Sequence, residues 1–200
     1  IVDFNTPVAN ANAVKELAIA ALLLASRKIV EAAEWAKSLK GTPDAPKTVE
    51  GGKSKFAGPE IAGKTLGVIG LGAIGAKIAN AAYALGMKVV GYEAFTPHPC
   101  LTAPVELKDS TEEMVPECDF ITIHVPALDS TKGMINAETI AMMKDGVRLL
   151  NLSRADLVNL ADMKAALESG KMAAYVTDFP TEEVLGVKGV VAIPHLGAST

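Results

Sequence analysis

The sequence is poor in cysteine, in aromatic residues and in basic charge, and each shortage excludes a class of protein. Its two cysteines, Cys100 and Cys118, are too few for a disulfide framework, which favours a reducing, intracellular setting and a cytoplasmic location. The formal net charge is −4, whereas a nucleic-acid-binding domain normally carries a basic excess. Because aromatic residues make up only 4% of the chain, aliphatic side chains must fill its core.

Long hydrophobic runs are also missing. The longest strongly apolar run covers residues 17–25, whereas a membrane-spanning helix needs about 20 apolar residues. No basic segment precedes this run and no cleavage pattern follows it, so it is not a signal peptide. A chain of 200 residues that is half hydrophobic has the composition of a soluble domain with one core. We therefore expect neither a membrane nor a nucleic acid among its partners.

The first fifth of the chain predicts one long helix that leads into a linker. Apolar residues recur at helical spacing across residues 8–40, and no glycine or proline interrupts them. Residues 41–59 are rich in glycine, proline and lysine, which predicts a loop or linker. Since the chain starts at Ile1 rather than at a methionine, we expect a piece of a longer protein.

From residue 64 onward, short apolar runs alternate with helical segments. Strands are predicted at 64–70, 88–92, 120–125, 147–153, 173–179 and 190–194, and helices at 73–85, 136–143 and 160–168. The apolar runs do not alternate in polarity, as expected for strands that are buried on both faces. This pattern predicts an α/β fold, a Rossmann-type doubly wound parallel sheet with helices on both faces, preceded by the long helix.

A glycine-rich loop follows the first predicted strand. Gly70, Gly72 and Gly75 have the G-x-G-x-x-G spacing between a strand and a helix. In that context the glycines allow a tight turn, a close approach to a pyrophosphate and close packing of helix on strand. Glu93 directly follows the second predicted strand, where a carboxylate can bind the ribose hydroxyls of adenosine and repel a 2′-phosphate. No arginine follows Glu93 directly, so the sequence favours NAD over NADP.

Polar side chains collect at the carboxyl ends of the predicted strands, where ligands bind in an open parallel sheet. They are Glu93, His124, Ser153, Arg154, Asp178 and His195. The guanidinium of an arginine matches both oxygens of a carboxylate, and histidine titrates near neutral pH. This combination predicts a small anionic substrate that gains or loses a proton.

Several of these residues also have a purely structural interpretation. Arg154 could pair with Asp156, Asp178 could cap the turn that follows it, and His124 could be a buried histidine bonded to the backbone. His98, between two prolines, is interpreted as a loop residue. The histidines and cysteines show no metal-ligand spacing, so we predict no metal site.

Six stretches resemble the D-2-hydroxyacid dehydrogenase family, and they follow the family's order over nearly the whole chain. They are FNTPVANANAVKE (4–16), KTLGVIGLGAIG (64–75), CDFITIHVP (118–126), STKGMIN (130–136), MKDGVRLLNLSRADLVN (143–159) and IPHLGAST (193–200). The last stretch is more similar to the branch that acts on 3-phosphoglycerate than to the branches acting on lactate, formate or glycerate.

The resemblance implies a domain organisation. In this family the NAD domain is inserted into a substrate-binding domain that both ends of the chain build. Residues 1–200 are then the NAD-binding domain, with 1–40 as an interdomain and dimerisation helix and 41–59 as a linker. The substrate-binding domain is absent from this chain, and the protein is expected to be a homodimer.

The resemblance also assigns roles to residues. Arg154, Glu183 and His195 fall on the catalytic positions, with Glu182 as the alternative to Glu183 because DFPTEE departs from the family's pattern there. Ala155 stands where glycine is usual, and Glu93 where aspartate is commoner. The cofactor-binding positions are Gly70, Gly72, Ala73, Ile74, Gly75, Glu93, His124, Val125, Pro126, Leu152, Ser153, Arg154, Asp178, His195, Gly197 and Ala198.

The implied reaction is hydride transfer between 3-phosphoglycerate and NAD. Two alternatives stay open at this point. One is a dehydrogenase of another D-2-hydroxy acid, such as glycerate or lactate. The other is an NAD-sensing scaffold, related to corepressors of the same fold, that binds the cofactor without turnover.

Overall fold

One parallel sheet of seven strands organises the part of the chain that the computed structural model describes, residues 10–197 and 199–200. The strands are β1 (Thr65–Ile69), β2 (Lys88–Tyr92), β3 (Glu106–Leu107), β4 (Phe120–Ile123), β5 (Val147–Asn151), β6 (Met172–Thr177) and β7 (Val190–Ala192). Their spatial order is β3-β2-β1-β4-β5-β6-β7, so the direction of winding reverses between β1 and β4. The predicted Rossmann-type sheet is confirmed.

Helices pack on both faces of this sheet. The helices of the described residues are α1 (Ala11–Arg27), α2 (Ile29–Ser38), α3 (Ala45–Gly52), α4 (Ala73–Ala84), α5 (Thr111–Met114), α6 (Ala137–Met142) and α7 (Leu160–Ser169). On one face α1 packs against α4, β5 and β6, and on the other α5, α6 and α7 bury Met114, Ile140 and Met163. Neighbouring strand residues supply opposite cores, as Leu150 and Leu149 show, which explains the continuous apolar runs.

Most strands end before their predicted last residue, because the chain turns there into the loops that carry the polar side chains. The edge strand β3 was not predicted, since it is only two residues long. In the described part of the chain, no helix has the length and apolarity needed to cross a membrane.

The prediction of one helix over residues 8–40 is wrong. Lys28 takes a left-handed conformation, with φ 47° and ψ 40°, and separates α1 from α2. The break lies where a later segment packs on the last turn of α1. The Ser26 hydroxyl donates to the carbonyl of Pro59, and a Cβ on Gly58 would lie 1.8 Å from the Ser26 carbonyl oxygen. Residues 8 and 9 lie outside the described residues.

The prediction that residues 41–59 form only a loop is also wrong. They contain α3 and a 3₁₀ turn at Lys53–Phe56. Trp35 of α2 anchors this segment, because its ring centroid lies 5.2 Å from that of Phe56. A Cβ on Gly52 would lie 2.4 Å from the Trp35 ring. This tertiary contact overrides the local tendency of glycine and proline to form a loop.

Candidate cofactor and substrate site

The three glycines of the motif, two in the loop between β1 and α4 and one in the first turn of α4, meet different surroundings. Gly70 has φ +90°, and a Cβ there would lie 2.6 Å from the carbonyl oxygen of His124. A Cβ on Gly75 would lie 1.9 Å from the Gly70 carbonyl oxygen, so this glycine permits close packing of α4 on the loop. Nothing lies within 4 Å of a Cβ placed on Gly72. Gly72 therefore borders open space, as a backbone that approaches a ligand should.

The open space lies at the N-terminus of α4. Gly72 is the N-cap residue and offers no side chain to the first turn. The first N–H groups of a helix lack partners within the helix and carry a partial positive charge. Together with the open space at Gly72, they form a cradle suited to a pyrophosphate.

Glu93 follows β2 and lies beside this cradle. Its Oε2 accepts a hydrogen bond of 2.6 Å from the N–H of Leu71, and its Oε1 accepts one of 3.1 Å from the N–H of Phe95. The carboxylate therefore fixes the glycine loop as well as presenting negative charge at the predicted ribose position. The sequence did not reveal this first role.

His124 follows β4 and contacts a side chain rather than the backbone. Its Nε2 lies 2.8 Å from the hydroxyl oxygen of Thr122, and burial lowers the pKa of His124 to about 3. The lowered pKa favours the neutral imidazole at physiological pH. The next residue, Val125, accepts a hydrogen bond of 2.8 Å from the Ser153 hydroxyl. The loops after β4 and β5 are thus joined, while the carbonyl of Pro126 accepts from Thr131.

Arg154 follows β5 and projects into solvent. Its Nη1 donates a 2.6 Å hydrogen bond to the carbonyl of Ser153. Among the described residues it makes no ion pair, so the possible pairing with Asp156 is not present. The guanidinium is therefore available to a carboxylate ligand. The preceding Leu152 is buried and packs in the core.

Asp178 follows β6 and is a buried carboxylate, only 1% exposed. Within the described residues neither of its oxygens has a hydrogen-bond partner. Burial raises the pKa of Asp178, while the charges of His195 and Arg154 act in the opposite direction. Buried carboxylates normally have partners, so this one is suited to receive donors from a bound group.

His195 lies at the carboxyl end of β7, beside Asp178. Its Nε2 is 4.0 Å from the Asp178 Oδ2, and its side chain is 64% exposed. The ring of Phe179 packs against the imidazole with a centroid distance of 5.1 Å. Gly197 lies close by, since a Cβ there would be 3.6 Å from the Asp178 Oδ2. His195 is thus accessible to a substrate and held from one side. The next predicted contact, Ala198, lies outside the described residues.

The structure does not bring Glu183 to His195. Both Glu183 and the alternative Glu182 are exposed in the turn between β6 and β7. Neither makes an ion pair in the described part of the chain. The carboxylate beside His195 is that of Asp178, which the sequence assigned to cofactor binding alone.

One buried residue of the site escaped sequence analysis. Asn151 ends β5, and its side-chain amide bonds to the backbone of Ser153 and Arg154. The signal that could have identified it is an asparagine at the end of an otherwise apolar strand. No group of His, Cys, Asp and Glu side chains suited to a metal ion was found in the described residues.

These features fit a dinucleotide. Open space at a helix N-terminus, a carboxylate that follows β2, and a carboxylate after β6 without a hydrogen-bond partner among the described residues all lie along the carboxyl edge of the sheet. This edge at the reversal of strand order is where open α/β sheets bind ligands.

The chain belongs to the D-isomer specific 2-hydroxyacid dehydrogenases, through their NAD-binding domain. The sequence profile of that domain matches residues 19–197. NAD is therefore the cofactor of this domain, as the glycine loop and Glu93 predicted.

Individual relatives carry several names. D-3-phosphoglycerate dehydrogenase from Rattus norvegicus is 37% identical over the whole chain, which covers 37% of that protein. Hydroxypyruvate reductase from Thermotoga maritima is 40% identical over 98% of the chain and is covered to 63%. The crystal structure of the apo forms of Rhodotorula graminis D-mandelate dehydrogenase superposes with a TM-score of 0.82 at 30% identity, covering 96% of this chain and 57% of that one. The chain therefore spans between about a third and two thirds of the length of these relatives.

Proposed function

We propose that the protein is an NAD-dependent dehydrogenase that interconverts 3-phosphoglycerate and its 2-oxo acid. The observation that carries this proposal is the group of Arg154, Asp178 and His195 at the same sheet edge as the glycine loop. An exposed guanidinium, an accessible imidazole and a buried carboxylate are the groups needed to oxidise a 2-hydroxy acid. The relatives named D-3-phosphoglycerate dehydrogenase, which match the whole chain, support this choice of substrate.

Arg154 binds the substrate carboxylate in this proposal. Its planar guanidinium can donate two parallel hydrogen bonds to the carboxylate oxygens. This contact fixes the C2 carbon and its hydroxyl relative to the sheet edge, because the carboxylate is bonded directly to C2. Orientation of this kind lowers the activation barrier by removing alternative geometries.

His195 is the general base. The unprotonated imidazole accepts the proton of the C2 hydroxyl while the C2–H bond breaks and the C2–O bond becomes a carbonyl. NAD, held by the glycine loop and Glu93, would supply the acceptor for the hydride that leaves C2 with its electron pair. In the reverse direction the protonated His195 returns the proton to the carbonyl oxygen.

A carboxylate stabilises the protonated His195. The family resemblance assigns this role to Glu183, whereas Asp178 lies 4.0 Å from the imidazole in this structure. We propose Glu183 as the partner once substrate is bound. The oxygens of Asp178, which have no hydrogen-bond partner among the described residues, would accept hydrogen bonds from the nicotinamide carboxamide.

The test is a panel of D-2-hydroxy acids assayed with NAD in the full-length protein. 3-Phosphoglycerate, D-glycerate, D-lactate and D-mandelate should separate the substrate class from the particular substrate. We expect 3-phosphoglycerate to give the highest kcat/KM, and Arg154→Ala and His195→Ala to lose turnover while NAD still binds. Preference for another acid would support the dehydrogenase activity but assign it a different substrate. NAD binding without turnover of any acid would indicate a binding role instead.

We also propose that the protein is a homodimer. Leu23 on α1, with Ile29 and Val30 on α2, forms an exposed set of apolar side chains. Exposed apolar surface of this kind favours association. Light scattering should give a dimer mass, and a monomer at micromolar concentration would contradict this proposal.

A further inference from the structure

Asn151 lies at the carboxyl edge of the sheet, on the inner strand β5. As the last residue of β5 it pairs with Ile123 of β4 on one side and with Thr177 of β6 on the other. Its side chain is completely buried. A buried amide must satisfy its donors and acceptor within the protein, so the partners of Asn151 show what it holds in place.

Two of its partners are the backbone groups of Ser153 and of Arg154, the arginine proposed to bind the substrate carboxylate. The Oδ1 of Asn151 accepts a 3.2 Å hydrogen bond from the N–H of Ser153, and its Nδ2 donates a 2.8 Å bond to the carbonyl of Arg154. The hydroxyl of Ser153 in turn donates to the carbonyl of Val125. The backbone at residues 153–154 is therefore tied to both β5 and the loop after β4, while the exposed guanidinium donates from Nη1 to the Ser153 carbonyl.

Tyr175 supports Asn151 from β6. Its side chain is 1% exposed, and its hydroxyl lies 3.4 Å from the Asn151 Nδ2. Burial raises the pKa of Tyr175, so the hydroxyl stays neutral and available for hydrogen bonding. The segment after β6 is fixed separately, because the N–H of Phe179 donates to the Thr177 hydroxyl.

We propose that Asn151, backed by Tyr175, is a positioning residue that holds Arg154 in place for the substrate carboxylate. This inference rests on the proposed function, because it concerns the arginine of that same site. Asn151 bonds to the N–H of Ser153 and to the carbonyl of Arg154. These two bonds fix the backbone of Arg154, and therefore the direction in which its side chain leaves the Cα. Fixed supporting residues of this kind keep a substrate-binding group within its productive geometry.

Asn151→Ala in the full-length protein should lower kcat/KM for the hydroxy acid by about tenfold or more, mainly through a higher KM, with unchanged NAD affinity. Tyr175→Phe removes the hydrogen bond to Asn151 and keeps the packing volume. We therefore expect a smaller decrease in kcat/KM. This variant tests the proposal if Asn151→Ala does not fold. Asn80→Ala is the matched control. Asn80 also holds a loop, through the carbonyl of Cys100 and the N–H groups of Thr102 and Ala103.

A double-mutant cycle separates positioning from a purely structural role. In the Arg154→Ala background, Asn151→Ala and Tyr175→Phe should no longer weaken binding of oxamate, an unreactive 2-oxo acid analogue, to the protein with NADH. Coupled residues give such non-additive effects. An undiminished effect without Arg154, or a loss equal to that of Asn80→Ala, would overturn the positioning role. If Arg154→Ala alone leaves turnover and oxamate binding intact, the proposed function fails instead.

Discussion

The Oδ2 of Asp178 lies 4.0 Å from the Nε2 of His195, at the carboxyl ends of adjacent strands β6 and β7. The carboxylate is buried and, among the described residues, has no hydrogen-bond partner, whereas the imidazole is largely exposed. A buried carboxylate without partners lowers stability. A ligand that donates hydrogen bonds to Asp178 would therefore be bound favourably, while His195 stays accessible to a substrate.

Asp178→Asn should make the protein without cofactor more stable at neutral pH, by on the order of 1 kcal/mol. Burial raises the pKa of Asp178 in the folded state, so the folded protein binds a proton more tightly than the unfolded chain. Stability therefore falls as the pH rises from the ordinary aspartate value through the folded pKa. Thermal unfolding across this range should show the gain at neutral pH and its disappearance in acid.

The matched control for that measurement is Asp156→Asn, which removes an exposed carboxylate of the loop after β5. It should change stability by no more than about 0.5 kcal/mol. A variant Asp178→Asn that is less stable than the wild type at neutral pH would show that the carboxylate has a stabilising partner.

His124→Gln should reduce the sensitivity of the fold to acid. The folded pKa of His124 is lowered to about 3 by burial, whereas the unfolded value is about 6.5. The unfolded chain therefore binds one more proton between these values, and stability declines as the pH falls through that window. The slope contributed by one proton is about 1.4 kcal/mol per pH unit.

Urea unfolding of the wild type and His124→Gln from neutral pH to the lower end of that window measures this slope. His98→Gln, a change in the loop that follows β2, is the control and should leave the slope of the wild type. Equal slopes for the wild type and His124→Gln would contradict the lowered pKa of His124.

Gly72→Ala and Gly75→Ala should separate cofactor binding from folding. Gly72 has φ −65° and borders open space, so alanine there should leave stability within about 0.5 kcal/mol and weaken NAD binding. Alanine at Gly75 would lie 1.9 Å from a backbone oxygen, which should destabilise the fold by about 3 kcal/mol or more. Calorimetric titration with NAD measures the cofactor affinity of the variants, and thermal unfolding measures their stability. Undiminished NAD affinity in Gly72→Ala would place the pyrophosphate elsewhere.

Glu93→Gln should narrow the preference for NAD over NADP. The neutral amide can still accept from the N–H of Leu71, while the charge that repels a 2′-phosphate is gone. We expect the ratio of the two affinities to fall by about tenfold, about 1.4 kcal/mol. Calorimetry with both cofactors measures the ratio, with Glu106→Gln on the edge strand β3 as the control. An unchanged ratio would remove Glu93 from the ribose site.

The sequence was sufficient for the sheet and the cofactor because both depend on local patterns. Apolar runs buried on two faces predicted β1, β4 and β5, and the spacing of Gly70, Gly72 and Gly75 predicted the turn into α4. The structure confirms these elements, and the family comparison confirms NAD. The catalytic roles of Arg154, Glu183 and His195 stay predictions.

The features that the sequence did not reveal depend on contacts between distant segments. The end of α1 at Arg27 reflects packing by Gly58 and Pro59, which no local helix signal contains. The nearness of Asp178 to His195 requires β6 and β7 to be adjacent, and the amide of Asn151 is informative only once its bonds to the loop are known. Tertiary geometry decided each case.

The most direct test of the account follows deuterium from C2 of a deuterated 3-phosphoglycerate during turnover by the full-length protein with NAD. Mass spectrometry of the reduced cofactor reports where the label goes. We expect deuterium in NADH with the wild type and no deuterium transfer with His195→Ala, although calorimetry should still show NAD binding to that variant. Absence of label with the wild type, or unchanged labelling in both His195→Ala and Arg154→Ala, would contradict the account.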